Sequence, residues 1–326
     1  MQRLYPLKFH AIFKDKIWGG QKIKTVLNKD ISSLPNCGES WEISGVKGNV
    51  SIVSNGNLQG KSLVDLINTY KADLVGKKVY AEYEDNFPLL VKFIDANDDL
   101  SIQVHPDDKL ANELHNSFGK TEMWYVFQAD KGSKLISGFN SNINKDTYLK
   151  YFNEGRLMEI LNQEEVQADD VFFIPAGRVH TIGKGLLLAE IQQSSDVTYR
   201  IFDFDRVDDL GQKRELHVNE ALNAIDFAYH DQYKTIYTPK KNEVVNLVIC
   251  PYFTTNRMHF DRTLKRAYST VDSFVIYVIL DGNASIITDH GTFDITRGET
   301  VLVPASIDNL EIHPKNEIKM LESFVT

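Results

Sequence analysis

The chain has 326 residues, more than one ordinary domain requires, and its 42% hydrophobic and 25% charged residues give the composition of a soluble globular protein. The formal net charge of −9 excludes broad non-specific nucleic-acid binding, yet it permits a small phosphorylated ligand, because cations in a cleft act within a screening length of about 8–10 Å. Two cysteines, Cys37 and Cys250, exclude a disulfide framework and a thiolate metal cluster; no stretch reaches the roughly 20 apolar residues of a membrane helix.

Residues 1–10 lack the apolar core and small-residue cleavage site of a signal peptide. The expectation is a protein of the reducing cytoplasm, with no membrane, nucleic-acid or obligate protein partner. Ser62 can cap a helix over 63–70, whose apolar residues recur at helical spacing. Residues 87–94 (FPLLVKFI) predict a buried strand. Residues 100–105 (LSIQVH) alternate apolar and polar before Pro106, which puts Ser101, Gln103 and His105 on one face. Further strands are predicted over 123–128, 134–138, 171–174, 186–192 and 197–202, separated by glycine turns. Residues 144–162 read as one or two helices and 215–225 as another. Many short strands with few helices imply a mainly β barrel or sandwich.

A weak internal repeat runs through these strands. Residues 123–127 (MWYVF) resemble 275–279 (VIYVI), and 169–180 (DDVFFIPAGRVH) resemble 298–309 (GETVLVPASIDN). The first copy is longer by close to the length of the segment between Ile143 and Glu165, which reads as a helical insertion near 143–165. The expected organisation is two related β-domains, residues 1–238 and 239–326, joined at a polar stretch around Pro239. This alignment sets Phe274 against Glu122 and Asn309 against His180. A shared scaffold that loses these polar positions marks Glu122 and His180 as functional and predicts a degenerate, metal-free second domain.

Gln103 and His105 lie two residue rises apart on one strand face. A carboxylate and a second histidine from neighbouring strands, Glu122 and His180, would close a mixed shell around a divalent metal. Imidazole suits zinc, iron, nickel or copper, and amide or carboxylate oxygen suits harder ions. A shell without thiolate leaves a position for water or substrate, as catalytic sites do. Each member also has a plainer reading. A lone histidine is more often hydrogen-bonded than metal-bound, and His10, His115, His217, His230, His259, His290 and His313 keep that reading. Glu122 alone is an ordinary strand-edge charge, and the neutral amide of Gln103 serves a substrate as well as a metal.

Residues 175–180 (PAGRVH) carry Pro-x-Gly-x-x-His and resemble the second signature of the cupin superfamily. In order along the chain, 87–96 (FPLLVKFIDA), 100–108 (LSIQVHPDD), 119–125 (GKTEMWY), 175–180 and 190–200 (EIQQSSDVTYR) resemble type I mannose-6-phosphate isomerases. Residues 17–20 (IWGG) and 37–42 (CGESWE) extend the likeness to the N-terminus, and the length resembles the shorter bacterial members.

The resemblance implies two cupin jelly-roll β-barrel domains, the first with the helical insertion. It implies one Zn2+ per chain at His105, Glu122 and His180, with Gln103 close enough to be a fourth ligand. It also implies a catalytic arginine at Arg200 and active-site roles for Lys120 and Ser101. The implied reaction interconverts mannose 6-phosphate and fructose 6-phosphate, a proton leaving C2 and returning at C1 through a cis-enediol. Arg200 would stabilise the charge that develops on oxygen, and its plainer reading is an ion pair with Asp203 or Asp205. Lys120 is a candidate base or a phosphate cation. Glu190 is a second candidate base or a supporting partner. Trp18 is either an apolar wall for the sugar or a buried structural residue, and Arg178 and Lys92 are candidate phosphate cations. Other readings are a cupin acting on glucose 6-phosphate, a dioxygenase with a redox metal, and a non-catalytic sugar-binding cupin. The intact set of His105, Glu122, His180 and Arg200 argues against the last.

Overall fold

The computed structural model describes residues 3–207 and 210–326. In chain order its strands are β1 (Ile12–Gly20), β2 (Cys37–Ile43), β3 (Leu89–Ala96), β4 (Ile102–Val104), β5 (Glu122–Ala129), β6 (Lys134–Phe139), β7 (Leu161–Glu165), β8 (Val171–Ile174), β9 (His180–Ile182), β10 (Leu186–Gln193) and β11 (Tyr199–Phe202). After these come β12 (Val244–Ile249), β13 (Thr254–Phe260), β14 (Leu264–Ala267), β15 (Val275–Thr288), β16 (Gly291–Thr296), β17 (Thr300–Val303) and β18 (Asn309–Phe324). The helices are α1 (Lys22–Thr25), α2 (Leu63–Tyr70), α3 (Ala72–Val75), α4 (Lys77–Tyr83), α5 (Asp108–His115), α6 (Lys145–Asn153) and α7 (Val218–Ala224). None of the described helices is long and apolar enough to cross a membrane.

The strands make three sheets, β1-β2-β3-β10-β5-β8, β11-β4-β9-β6-β7, and a third built on β12-β13-β18-β15-β16. Each order is an open path, so the barrel expected from the sequence is not closed by strand pairing among the described residues. Strands β3 and β10 are buried at every residue, as central strands covered on both faces must be. Trp18, Ile94, Trp124 and Leu188 of the first sheet meet Leu135 and Ile182 of the second, with Leu100 just ahead of β4, in one buried cluster. The outer face of the first sheet packs on the third, where the Phe87 and Phe274 ring centroids stand 4.5 Å apart. Helices α6 and α7 cover the outer face of the second sheet through Tyr148, Ala221 and neighbours.

Local chemistry explains the helices. Ser62 Oγ accepts from Asp65 N at 3.1 Å, a cap that contributes about 1 kcal/mol. Leu63, Leu66 and Ile67 then bury one face of α2, each side chain gaining roughly 1.5–3 kcal/mol. The segment 144–162 is only partly helical. Asn144 caps α6, Gly155 at φ 69° follows its end, and Leu161–Glu165 pairs with β6 as strand β7.

The third sheet repeats the pairing of the first two. In it β15 pairs with β17, β18 and β16, and β18 pairs with β13 and β14, as β5 and β6 pair with β8, β10 and β7, and as β10 and β9 pair with β3 and β4. Strands β15 and β18 are long enough to serve both layers, which merges them into one sheet. Register corrects the alignment drawn from sequence. Glu122 lies opposite Ile174, just before Pro175; the residue opposite Val303, just before Pro304, is Val275 and not Phe274. A one-residue slip exchanges the two faces of a strand, and Tyr125 and Tyr277, matched by identity in the sequence, face different cores.

Candidate metal centre and substrate cleft

Three strands bring the proposed ligands together. His105 follows β4, Glu122 opens β5 and His180 opens β9, and one donor atom from each lies within 4.8 Å of the others. All three are buried, at 1%, 1% and 0% exposure, although their polarity alone would place them in water. Glu122 Oε2 is 3.6 Å from His105 Nε2, and Oε1 is 3.4 Å from His180 Nε2.

The imidazoles are held in one tautomer. His105 Nδ1 donates to the Val197 carbonyl at 3.1 Å and His180 Nδ1 to the Arg178 carbonyl at 2.8 Å. Each Nε2 therefore turns a lone pair toward Glu122, the arrangement that orients metal-binding histidines. Burial first, then the Lys120 charge, holds His105 well below its usual range; burial takes His180 down to about 3. Both rings are neutral at pH 7. Burial and the Glu190 charge hold the Glu122 carboxyl above the ordinary carboxylate range. Neither of its oxygens accepts a well-angled hydrogen bond, although Lys120 Nζ is 2.8 Å away. A buried carboxylate left unsatisfied beside two fixed imidazole lone pairs is a donor set that fits a divalent cation.

Lys120 Nζ also lies 2.9 Å from His105 Nε2 and 4.0 Å from Glu190 Oε1. Glu190 accepts from Lys92 Nζ at 3.1 Å and from Trp124 Nε1 at 2.8 Å. Burial alone would raise the Glu190 carboxyl; Lys92 and Lys120 outweigh it and hold the group below the ordinary range. The Gln103 amide nitrogen is 3.2 Å from His180 Nε2, so this side chain reaches the ligand cluster.

A cleft of ≈ 210 Å³ opens beside these groups, and Trp18, Ser101, Gln103, Lys120, Glu190 and Arg200 all line it. Arg200 makes neither of the ion pairs considered from sequence. Asp203 is held by Arg206 and Arg214 and Asp205 by Lys213, while Arg200 Nη1 donates to the Glu215 carbonyl at 2.7 Å. Its Nε is buried without a partner. Of the two candidate phosphate cations, Lys92 lines the cleft but is paired with Glu190. Arg178 does not line it. The turn at Gly177, φ 86°, sends that side chain away before β9 begins, and its guanidinium stacks 4.7 Å from the Tyr233 ring centroid.

Glu39, Trp41 and Arg214 also line the cleft and were not singled out from sequence. The first two sit in the segment 37–42 that carries the family likeness, and their odd-numbered alternation on β2 is the signal that would have found them. Arg214 lies outside any regular element, where no periodicity marks it.

The paired sheets and the buried imidazole–carboxylate cluster define a cupin-type protein with a candidate metal centre. Residues 6–133 match the model of the type I phosphomannose isomerase catalytic domain, and residues 243–323 match the mannose-6-phosphate isomerase cupin domain. A mannose-6-phosphate isomerase of Streptococcus mutans is 33% identical over 96% of this chain and 96% of its own. One of Bacillus subtilis is 31% identical over 94% and 95%. The crystal structure of a Bacillus subtilis mannose 6-phosphate isomerase superposes with a TM-score of 0.87 at 30% identity, covering 98% of this chain and 99% of that one. The chain belongs to the type I phosphomannose isomerase family.

Proposed function

We propose that the protein is a zinc-dependent isomerase that interconverts mannose 6-phosphate and fructose 6-phosphate. The observation that carries this is Glu122, buried and unsatisfied between two histidines whose ligand nitrogens face it, in a chain of this family. His105, Glu122 and His180 would hold the ion, and Gln103 would be a fourth ligand through its amide oxygen. A bound zinc would supply Lewis-acid stabilisation of negative charge on substrate oxygens.

The chain's own groups account for the rest. Trp18 and Trp41 wall the cleft against the sugar, and Ser101 offers a hydroxyl to the substrate. Arg200 presents fixed donors where charge develops on oxygen during proton transfer. Lys120 is assigned the proton that leaves C2 and returns at C1. Glu190 is the weaker candidate for that role, since its oxygens are engaged by Lys92 and Trp124. It keeps Lys92 and Lys120 in place instead.

We also read the chain as two jelly-roll units, 1–238 and 239–326, with the metal in the first alone. The support is the shared strand pairing, in which Val275 takes the place of Glu122. Dialysis against a chelator tests the function. Turnover of mannose 6-phosphate should disappear and return with zinc, and full turnover by metal-free protein overturns the metal mechanism.

A further inference from the structure

Gly119, Lys120 and Thr121 form the short run that enters β5, and each of their N–H groups has its own acceptor. Gly119 N donates to Asp108 Oδ1 at 2.8 Å, Lys120 N to the Pro106 carbonyl at 3.1 Å, and Thr121 N to Gln193 Oε1 at 2.8 Å. Gln193 makes two further bonds, one to the run and one to Asp108. Its N–H donates to the Thr121 carbonyl at 3.1 Å, and its side-chain nitrogen donates to Asp108 Oδ1 at 2.9 Å. The second Asp108 oxygen accepts from the Tyr252 hydroxyl at 2.6 Å. Tyr252 lies between β12 and β13, so the third sheet reaches the run beside Lys120 through one hydroxyl.

The bracket has little slack. A Cβ built at Gly119 would stand 2.5 Å from Asp108 N and 2.6 Å from the Asp107 carbonyl carbon. Nor is the Asp108 side chain spent on capping α5, because Asp107 accepts from Leu110 N at 2.8 Å. Pro106 follows His105, and Gln193 ends the strand that carries Glu190. The bracket thereby fixes the spacing of His105, Lys120 and Glu190, while Asp108 itself stays outside the cleft.

We propose that Asp108 is a positioning residue for Lys120, holding the 119–121 run through Gly119 and Gln193, with Tyr252 of the third sheet locking its carboxylate. This rests on the isomerase reading, in which Lys120 carries the proton. A reacting group misplaced by about 1 Å can lose two orders of magnitude in rate. Asp108→Asn should lower kcat about tenfold and Tyr252→Phe about threefold, with KM moved less than about twofold and zinc content unchanged.

A residue that only stabilised the fold would add its loss to that of Lys120→Ala. A residue acting through Lys120 adds none, so the Lys120→Ala/Asp108→Asn double variant should match Lys120→Ala. Wild-type kcat in both single variants, or fully additive losses, overturns the proposal. If Asp108→Asn does not fold, Tyr252→Phe and its double variant with Lys120→Ala decide alone. Hydrogen exchange at the Gly119 amide reads the bracket without turnover and should be faster in Tyr252→Phe; unchanged exchange overturns it. Zinc-loaded wild-type protein without turnover overturns the isomerase reading instead, and the exchange result still stands for the bracket.

Discussion

Glu190 and Glu322 occupy the same register position in two copies of one strand arrangement. Glu190 lies opposite Trp124 and Lys92, and Glu322 lies opposite Tyr277 and Asn256. The acid is kept while its surroundings change. Around Glu190 the interior holds Lys92, Lys120 and, beyond them, the candidate ligands. Around Glu322 it holds Arg266 at 2.8 and 2.9 Å, Asn256 at 2.9 Å and Tyr268 at 2.5 Å. Every buried carboxylate needs a counter-charge. In the second copy the chain supplies it as a guanidinium; in the first, Lys92 answers Glu190, and Lys120 stands 2.8 Å from Glu122 beside the candidate ligands.

Glu322→Gln should therefore weaken the fold without touching the metal centre. It removes the charge from a wholly buried acid and leaves the three-quarters-buried Arg266 without its partner. A fully buried pair would cost about 3–5 kcal/mol to break; partial exposure of Arg266 brings the expected loss to about 2 kcal/mol. Urea midpoints measure it, and zinc content should stay at one per chain.

Glu122→Gln should do the opposite. The neutral amide is a poor ligand, so zinc affinity should fall at least about 100-fold. The metal-free variant should lose little stability against the metal-free parent, because the Lys120 ion pair at 2.8 Å goes but so does the desolvation of a carboxylate that burial already holds above its ordinary range. Thermal melts with and without zinc check both halves. A large stability loss in the metal-free variant would mean that Glu122 is structural.

The buried cluster of His105, Glu122 and His180 was legible because its signals are local. Alternation fixed the shared face of Gln103 and His105, and Pro175, Gly177 and His180 mark a strand, a turn and a strand in sequence. The mainly β class was legible for the same reason. What was not legible depends on register or on irregular backbone. Phe274 misses the true counterpart of Glu122 by one residue, since similarity scores types and not the face they present. Strand β7 hides inside a polar run because only pairing with β6 makes LNQEE extended. Arg178 follows a glycine turn whose direction no pattern specifies. Asp108 opens α5, and its bond to Gly119 exists only once the chain has turned back.

Arg200→Ala should lower kcat about 100-fold or more while zinc content stays intact, the magnitude lost when one donor to a developing oxyanion is removed. Arg200 lies opposite Gln103 across the β11–β4 pair. It is anchored by the Glu215 carbonyl and leaves its buried Nε unpartnered beside the cleft. Arg200→Lys should recover little, because a single ammonium does not reproduce the planar donor set. Loss of metal in either variant would contradict the assigned role.

Asp203 gives the pH dependence a defined sign. Burial acts to raise its carboxyl, but hydrogen bonds from Arg214 and Arg206 outweigh burial and hold it below the ordinary value of 3.8. A folded pKa lower than the unfolded one contributes stability above the unfolded value, and that stability is lost as pH falls through the folded value. Asp203→Asn should lower the urea midpoint equally at pH 7 and pH 5. Below the ordinary carboxylate value the gap should narrow, because the parent protonates the same group on unfolding. Arg214 lines the cleft and Asp203 fixes it, so the variant should also raise KM for the phosphorylated sugar at pH 7. A midpoint gap that stays constant down to pH 3.5 would show that the Asp203 charge contributes nothing to the fold.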